Sequence, residues 1–206
     1  CASSDLGRLH ISTGRSNFTL ATLPREDFPI MASAEYDVNF NAKANILRRL
    51  FDKSKFAIST EETRYYLNGV YMHVSSDESS NVLRCVATDG HRLARVDADL
   101  PANASSMPGV IIPRKTVGEL GKLLNDDDVD IAVSVSNTKV RFATSEIQLT
   151  SKVIDGTFPD YSRVIPKNNN NDLMINRENL LSAVDRVSTI ANEKSPSIKF
   201  KLLENL

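Results

Sequence analysis

Apolar residues recur at helical spacing between Lys43 and Lys55. Ile46, Leu47, Leu50 and Phe51 fall on one face of a helix, and Asn45, Arg48, Arg49 and Asp52 fall on the other. The pattern predicts an amphipathic helix that buries its apolar face and turns basic residues outward.

Two more helices are predicted, at 114–124 and from 176 to about 191. Elsewhere apolar and polar residues alternate in short runs separated by Ser, Asn, Asp and Thr, which predicts strands. The clearest runs are 17–20, 83–86, 93–96, 131–135, 139–142 and 147–149, with a last one at 198–203. Few helices among many short antiparallel strands indicate an α+β fold.

Two unrelated stretches recur roughly 130 residues further along the chain. The pairs are 18–22 with 147–151, and 45–50 with 179–184. Two repeats at nearly one period predict tandem domains of about 130 residues. The boundaries are expected near 31–34 and in the Asn-rich run 168–172, because both stretches are poor in residues that build a core.

Composition excludes some classes of protein. With 41% apolar and 25% charged residues, the chain is typical of globular proteins, and no apolar run approaches the roughly 20 residues that span a bilayer. Cys1 and Cys85 are too few for a disulfide framework, and Cys85 is expected to be a buried thiol in a reducing cytosol. A net charge of −1 means that any DNA contact must come from a local basic face. Because the first residue is not Met, we expect a piece of a longer chain.

The stretch Thr88-Asp-Gly-His-Arg92 is the one cluster that looks catalytic, since a His beside an Asp is able to act as a base or bind a metal. Asp-Gly between two predicted strands is, however, first of all a tight turn. A hydrolase using Asp89 and His91 therefore stays an alternative with little support. No P-loop, nucleophile elbow or zinc-ligand spacing occurs, so no cofactor, metal or catalytic residue is expected.

Three phrases carry more information than the rest: Arg64-Tyr-Tyr-Leu-Asn-Gly69, Ala87-Thr-Asp-Gly-His-Arg-Leu-Ala94 and Phe158-Pro-Asp-Tyr-Ser-Arg-Val-Ile-Pro-Lys167. In this order and spacing they resemble the middle domain of the bacterial DNA sliding clamp, the beta subunit of DNA polymerase III. The stretches 14–24 and 192–194 extend the resemblance over nearly the whole chain.

The resemblance implies clamp domains made of two similar halves, with helices on the inner face and antiparallel sheets outside. Residues 1–35 would be the end of the first domain, 36–167 the complete second domain, and 172–206 the beginning of the third. The implied function is that of a cytoplasmic processivity factor without enzyme activity, in which a homodimer ring encircles duplex DNA regardless of sequence. A stand-alone peptide-binding fragment is the alternative.

The resemblance also implies three sets of site residues. A pocket for short linear peptides of the replicative polymerase, the clamp loader and repair polymerases would use Arg64, Leu67, Thr88, Gly90, His91, Arg92, Leu93, Pro159, Arg163 and Val164. DNA-facing positions would be Arg15, Tyr65, Tyr66, Arg114 and Lys115. The dimer interface would use Phe18, Leu20, Thr189 and Ile190. By propensity alone, Tyr65 and Tyr66 would be strand residues, whereas the resemblance implies a loop.

Overall fold

The structure, a computed structural model, describes residues 2–5, 7–28, 35–76, 80–124, 128–170, 172–191 and 197–201. Two compact units make up the chain, Cys1–Phe158 and Pro159–Leu206. The three sheets and the first two helices belong to the first unit. The domain boundaries at 35/36 and 167/172 stay predictions, and the stretch 31–34 lies outside the described residues.

The first sheet has three antiparallel strands. They are β1 (Ala2–Asp5), β2 (Arg8–Thr13) and β3 (Ser16–Ala21), in the order β1-β2-β3. The predicted strand at 17–20 is thus confirmed, as part of β3. Because β3 has a described partner on one side alone, it is an edge strand of this sheet.

The rest of the first unit repeats one order of elements, a strand, a helix and three strands. The first half contains β4 (Val38–Lys43), α1 (Ala44–Asp52), β5 (Gly69–Ser76), β6 (Asn81–Thr88) and β7 (Leu93–Asp99). The second half contains β8 (Val110–Pro113), α2 (Arg114–Leu123), β9 (Asp130–Val135), β10 (Lys139–Ala143) and β11 (Gln148–Lys152). The α+β fold and the similar halves are confirmed.

Each half contributes its first strand to the sheet of the other half. One sheet has the order β11-β10-β9-β4 and the other β7-β6-β5-β8, so β4 pairs with β9 and β8 with β5. The exchange brings backbones close together, since a Cβ at Gly69 would collide with the carbonyl oxygen of Ile112. Glycine is therefore required where β5 meets β8.

One apolar core joins the two halves. Leu47, Leu50 and Phe51 are buried on α1, and Val117, Leu120 and Leu124 are buried on α2 or directly after it, as their spacing predicted. The Phe51 ring meets the Phe142 ring of β10 edge to face, with 6.1 Å between centroids. Alternate residues of both sheets complete this core, and Cys85 is among them as a buried free thiol.

The sheet face opposite the core carries an ion-pair network in the first half. Arg84 on β6 is buried and donates through Nε and Nη2 to the two carboxylate oxygens of Asp97 on β7, at 2.7 and 2.9 Å. Arg95 Nη2 donates to Asp97 Oδ2 at 2.7 Å, and Arg84 Nη1 donates to Ser75 Oγ at 2.8 Å. Burial opposes ionisation of Asp97, but the hydrogen bonds from the two arginines outweigh it and hold the pKa at about 2.

The second unit contains a 3-10 turn at Tyr161–Arg163 and helix α3 (Arg177–Ser188). Asn176 caps α3 by accepting the N–H groups of Glu178 and Asn179 at 2.9 and 3.1 Å. No residue of α3 is buried. The helix ends earlier than the predicted residue 191.

Two strand predictions are wrong. Tyr65 and Tyr66 lie in a 3-10 turn, Tyr65–Leu67, and not in a strand. Residues 198–201 have no strand partner among the described residues, and the remainder of the predicted strand at 198–203 lies outside them. Among the helices that the structure describes, none has the length and apolar character needed to cross a membrane.

Asp97→Asn is expected to lower the free energy of unfolding near neutral pH by about 1–3 kcal/mol, because it leaves the buried Arg84 without its carboxylate. The Asp97 pKa falls on folding from an ordinary 3.8 to about 2, so its contribution is present above pH 4 and is lost as the pH drops through 2. Urea unfolding of both proteins between pH 2 and 7 measures this difference. Asp99→Asn, one charge removed from the same strand, is the control, and a pH-independent difference would contradict the prediction.

Candidate functional site

The chain between β6 and β7 forms a tight turn that its own side chains hold. Asp89 Oδ1 accepts the backbone N–H groups of His91 and Arg92, both at 2.9 Å. Thr88 Oγ1 donates to the Arg92 carbonyl at 2.8 Å and accepts the Gly90 N–H at 3.1 Å. Gly90 has φ +89°, a conformation that favours glycine. The predicted turn is confirmed.

Arg64 lies against this turn. Its Nε and Nη2 donate to the two carboxylate oxygens of Glu61 at 2.9 and 2.7 Å. A Cβ built on Gly90 would lie 2.6 Å from Arg64 Nη1, so the guanidinium occupies the space that the glycine leaves open. The structure thus brings together the first two of the three phrases.

Local partners keep both carboxyl groups of this region ionised. The hydrogen bond from Arg64 lowers the pKa of Glu61, and the charge of Arg64 adds to the effect. The backbone N–H groups of Arg92 and His91 lower the pKa of Asp89. Since Asp89 Oδ2 also accepts Arg92 Nε at 3.1 Å, Asp89 stabilises the turn, and this role does not favour the hydrolase alternative.

The apolar side chains near the turn differ in exposure. Leu67 is 4% exposed and Leu93 is partly exposed, so Leu67 offers little surface to a ligand. Phe56 is 55% exposed, and the Arg92 guanidinium lies 5.7 Å from the centre of its ring. Phe56 was not predicted as a site residue. A large aromatic residue just past the end of the amphipathic helix α1 could have indicated an exposed contact surface.

The second unit carries the remaining three predicted pocket residues. Pro159 precedes Asp160, which caps the turn by accepting Ser162 N–H and Oγ at 3.2 and 2.6 Å. Arg163 Nε donates to Asp160 Oδ2 at 2.8 Å, and Val164 is 68% exposed. Hydrogen bonds from Ser162, with that from Arg163, lower the pKa of Asp160. This segment therefore presents an exposed apolar residue beside an exposed Arg.

Basic residues stand at the beginning of α2. Arg114 and Lys115 are both exposed in its first turn, which contains no acidic residue. Cations at a helix N-terminus oppose the helix dipole, while the same end attracts an anion. Their presence there favours an anionic partner such as phosphate.

The other predicted DNA-facing residues are also at the surface. Arg15 is exposed in the turn between β2 and β3. Tyr65 is 55% exposed and meets the Tyr66 ring edge to face, with 5.8 Å between centroids. Gly156 lies against Tyr66, where an added Cβ would be 3.1 Å from the Tyr66 Cβ.

The predicted dimer-interface residues are exposed apolar or polar groups in their own units. Phe18 and Leu20 project from the edge strand β3 and are about half exposed. Thr189 and Ile190 follow the last turn of α3, where Thr189 Oγ1 donates to the Asp185 carbonyl at 3.0 Å and Ile190 is exposed.

Comparison with known families gives two matches in chain order. The central domain of the DNA polymerase III beta subunit matches residues 41–160, and the C-terminal domain of the same subunit matches residues 162–206.

Individual relatives agree with the family matches. The chain is 50% identical over 197 residues to the beta sliding clamp of Caulobacter vibrioides, a match that covers 96% of this chain and 53% of the relative. It is 38% identical to the beta sliding clamp of Pseudomonas aeruginosa, covering 97% of this chain and 53% of the relative. The chain therefore spans about half the length of the curated relatives it matches.

Solved structures agree as well. The DnaN sliding clamp of Bartonella birtlesii bound to griselimycin has a TM-score of 0.87 and 50% identity, covering 95% of this chain and 52% of that chain. The DnaN sliding clamp of Pseudomonas aeruginosa bound to griselimycin has a TM-score of 0.79 and 37% identity, covering 94% and 51%.

Gly90→Ala is expected to lower the free energy of unfolding by about 1–2 kcal/mol, because an alanine at φ +89° is strained. The new methyl group also displaces Arg64 from the turn. Urea unfolding gives the stability change. The control is Gly118→Ala, which adds a methyl group to α2 in open space and should raise stability by about 0.5–1 kcal/mol. Equal effects of the two substitutions would contradict the role of the positive φ.

Proposed function

The chain belongs to the bacterial DNA polymerase III beta subunit family, and we propose that it acts as part of a sliding clamp that encircles duplex DNA and tethers the replicative polymerase. The observation that carries this proposal is the match to two consecutive domains of that subunit. The 50% sequence identity to the beta sliding clamp of Caulobacter vibrioides agrees with it. The mechanism is topological: once the ring is closed around the template, dissociation from the template no longer competes with synthesis, so the tethered polymerase becomes processive.

The proposed role needs no bond-making or bond-breaking by this protein. Asp89, the acidic member of the catalytic-looking cluster, makes hydrogen bonds to two backbone N–H groups and to Arg92. A carboxylate with these hydrogen bonds stabilises the conformation of the turn. We therefore propose a non-catalytic accessory subunit in the cytoplasm, and the buried free thiol of Cys85 is consistent with that compartment.

The partners proposed for the tether are short linear peptides of the polymerase, the clamp loader and repair polymerases. On the first unit, Arg92 lies near the exposed ring of Phe56 and directly precedes the partly exposed Leu93, and Arg64 lies against Gly90 of the same turn. On the second unit, Arg163 stands beside the exposed Val164. Apolar side chains flanked by Arg donors favour a peptide with large apolar residues and carbonyl or acidic groups.

DNA is proposed to lie along the helix side of the sheets. Arg114 and Lys115 at the α2 N-terminus, with Arg15 and the Tyr65 and Tyr66 pair, would contact phosphates or sugars without reading bases. Weak contacts of this kind suit a ring that must slide. In the complete protein, a head-to-tail homodimer would cover Phe18 and Leu20 of one subunit with the region of Thr189 and Ile190 of its partner.

Val164→Asp combined with Arg163→Ala is expected to weaken binding of a clamp-binding peptide by at least about tenfold, because one buried apolar contact contributes about 1.5–3 kcal/mol. Both side chains are exposed, so the fold should be unaffected. Fluorescence anisotropy with a labelled peptide measures affinity, and circular dichroism checks the fold.

Val164→Ile is the matched control and should bind like the unchanged chain. A substitution at Leu67 is unsuitable, because Leu67 is buried and a charge there would unfold the site. Unchanged peptide affinity in the folded double variant would refute the pocket assignment.

Arg114→Ala with Lys115→Ala is expected to weaken duplex DNA binding by this chain. The logarithm of the binding constant should also fall less steeply with the logarithm of the salt concentration. Two lost phosphate contacts correspond to a slope change of about 2. The control, Lys139→Ala with Lys152→Ala, removes two charges from the end of the β10–β11 pair. Equal losses in both double variants would argue for nonspecific charge attraction and against a DNA-binding helix end.

A further inference from the structure

The two halves of the first unit place an Arg at equivalent positions on the sheet face that points away from the core. In the first half, Arg84 on β6 lies opposite His73 of β5 and opposite Asp97 of β7. In the second half, Arg141 on β10 lies opposite Ser134 of β9 and Thr150 of β11. The register of the exchanged strands aligns these pairs, since Gly69 faces Pro113 and Asp130 faces Lys43.

The two arginines differ in what meets the guanidinium. Arg84 Nε and Nη2 donate to the two carboxylate oxygens of Asp97 in a bidentate arrangement. The equivalent of Asp97 in the second half is Thr150, which carries no charge. Arg141 Nη2 donates to Ser134 Oγ at 2.9 Å, but Arg141 Nε is buried and has no hydrogen-bond acceptor among the residues that the structure describes.

The surroundings of Arg141 are suited to an added carboxylate. The Tyr36 ring lies 4.7 Å from the guanidinium carbon, so the aromatic ring covers the flat face of the cation while hydrogen bonds form in the guanidinium plane. Arg141, Tyr36 and Thr150 are each partly exposed, so a ligand from solvent reaches this cluster, and a small rearrangement of these side chains opens the buried Arg141 Nε to it. A buried donor without an acceptor destabilises the protein, and a ligand that supplies the acceptor recovers this loss.

We propose that Arg141, with Ser134, Thr150 and Tyr36, is a binding site for one carboxylate from an acidic side chain of a partner peptide. The ligand takes the position that Asp97 occupies in the first half. A carboxylate matches the two-donor edge of one guanidinium, whereas a doubly charged phosphate group is better satisfied by several cations. The site lies in the other half from Arg64 and Arg92 and on the sheet face opposite the core, so it is separate from the proposed pocket residues of the first unit.

The test follows the Arg Nε–Hε signals of the 206-residue chain by nuclear magnetic resonance during titration. The probes are the blocked peptides acetyl-Gly-Glu-Gly-amide and acetyl-Gly-Gln-Gly-amide, and inorganic phosphate. The Arg141 signal is expected to shift with the Glu peptide and not with the Gln peptide. The Arg84 signal should stay in place, because Asp97 already occupies its fork.

Two variants complete the test. Thr150→Asp places a carboxylate at the position that Asp97 has in the first half. It should weaken the affinity for the Glu peptide at least about tenfold, which corresponds to the loss of one charge-assisted hydrogen bond. Arg141→Gln should abolish it, and if that variant does not fold, Thr150→Asp alone decides. The proposal is wrong if the Arg141 signal does not shift, if both peptides shift it equally, if Thr150→Asp has no effect, or if phosphate binds more tightly than the Glu peptide.

Discussion

Reciprocal pairing of the first strands, β4 with β9 and β8 with β5, is the constraint on which the first unit depends. Backbone hydrogen bonds between the halves continue this pairing at the N-terminus of each helix. The Ala44 N–H donates to the Val129 carbonyl at 2.9 Å, and the Arg114 N–H donates to the Asn68 carbonyl at 3.0 Å. The two helices thus begin at backbone anchors supplied by the other half of the fold. Neither half completes its own sheet, so the halves fold as one core.

This constraint determines where chemistry is available. The core takes one face of each four-stranded sheet and the apolar sides of both helices, which leaves the turns, the helix ends and the opposite sheet faces for partners. Around the turn between β6 and β7, Asp89 and Glu61 are held ionised by local donors. Because these hydrogen bonds are within the chain, the turn and Arg64 have their arrangement before any ligand binds, which lowers the entropy cost of binding.

The repeated halves differ on the sheet face that points away from the core. In the first half, the Arg84 and Asp97 pair uses its charges internally and serves stability. In the second half, Thr150 stands where the carboxylate would be, and Arg141 keeps its charge beside Tyr36. The same backbone position therefore supports a structural ion pair in one copy and a proposed recognition site in the other.

Local chemistry determined much of this protein from sequence alone. The buried faces of α1 and α2 follow from 3.6-residue spacing, and the turn at 88–93 follows from an Asp whose side chain binds the next backbone N–H groups. The resemblance in three phrases was enough to indicate the family, because each phrase is a run of consecutive residues that can be read directly from the sequence.

Only the tertiary structure decided the exchange of first strands, the contact of Arg64 with Gly90, and the approach of the Arg92 guanidinium to the Phe56 ring. It also decided that Tyr65 begins a 3-10 turn, although its β propensity favours a strand, and that Leu67 is buried. Each of these depends on residues distant in sequence. Pairing and burial between such residues are set by the packing of the whole core, and neither periodicity nor propensity contains that information.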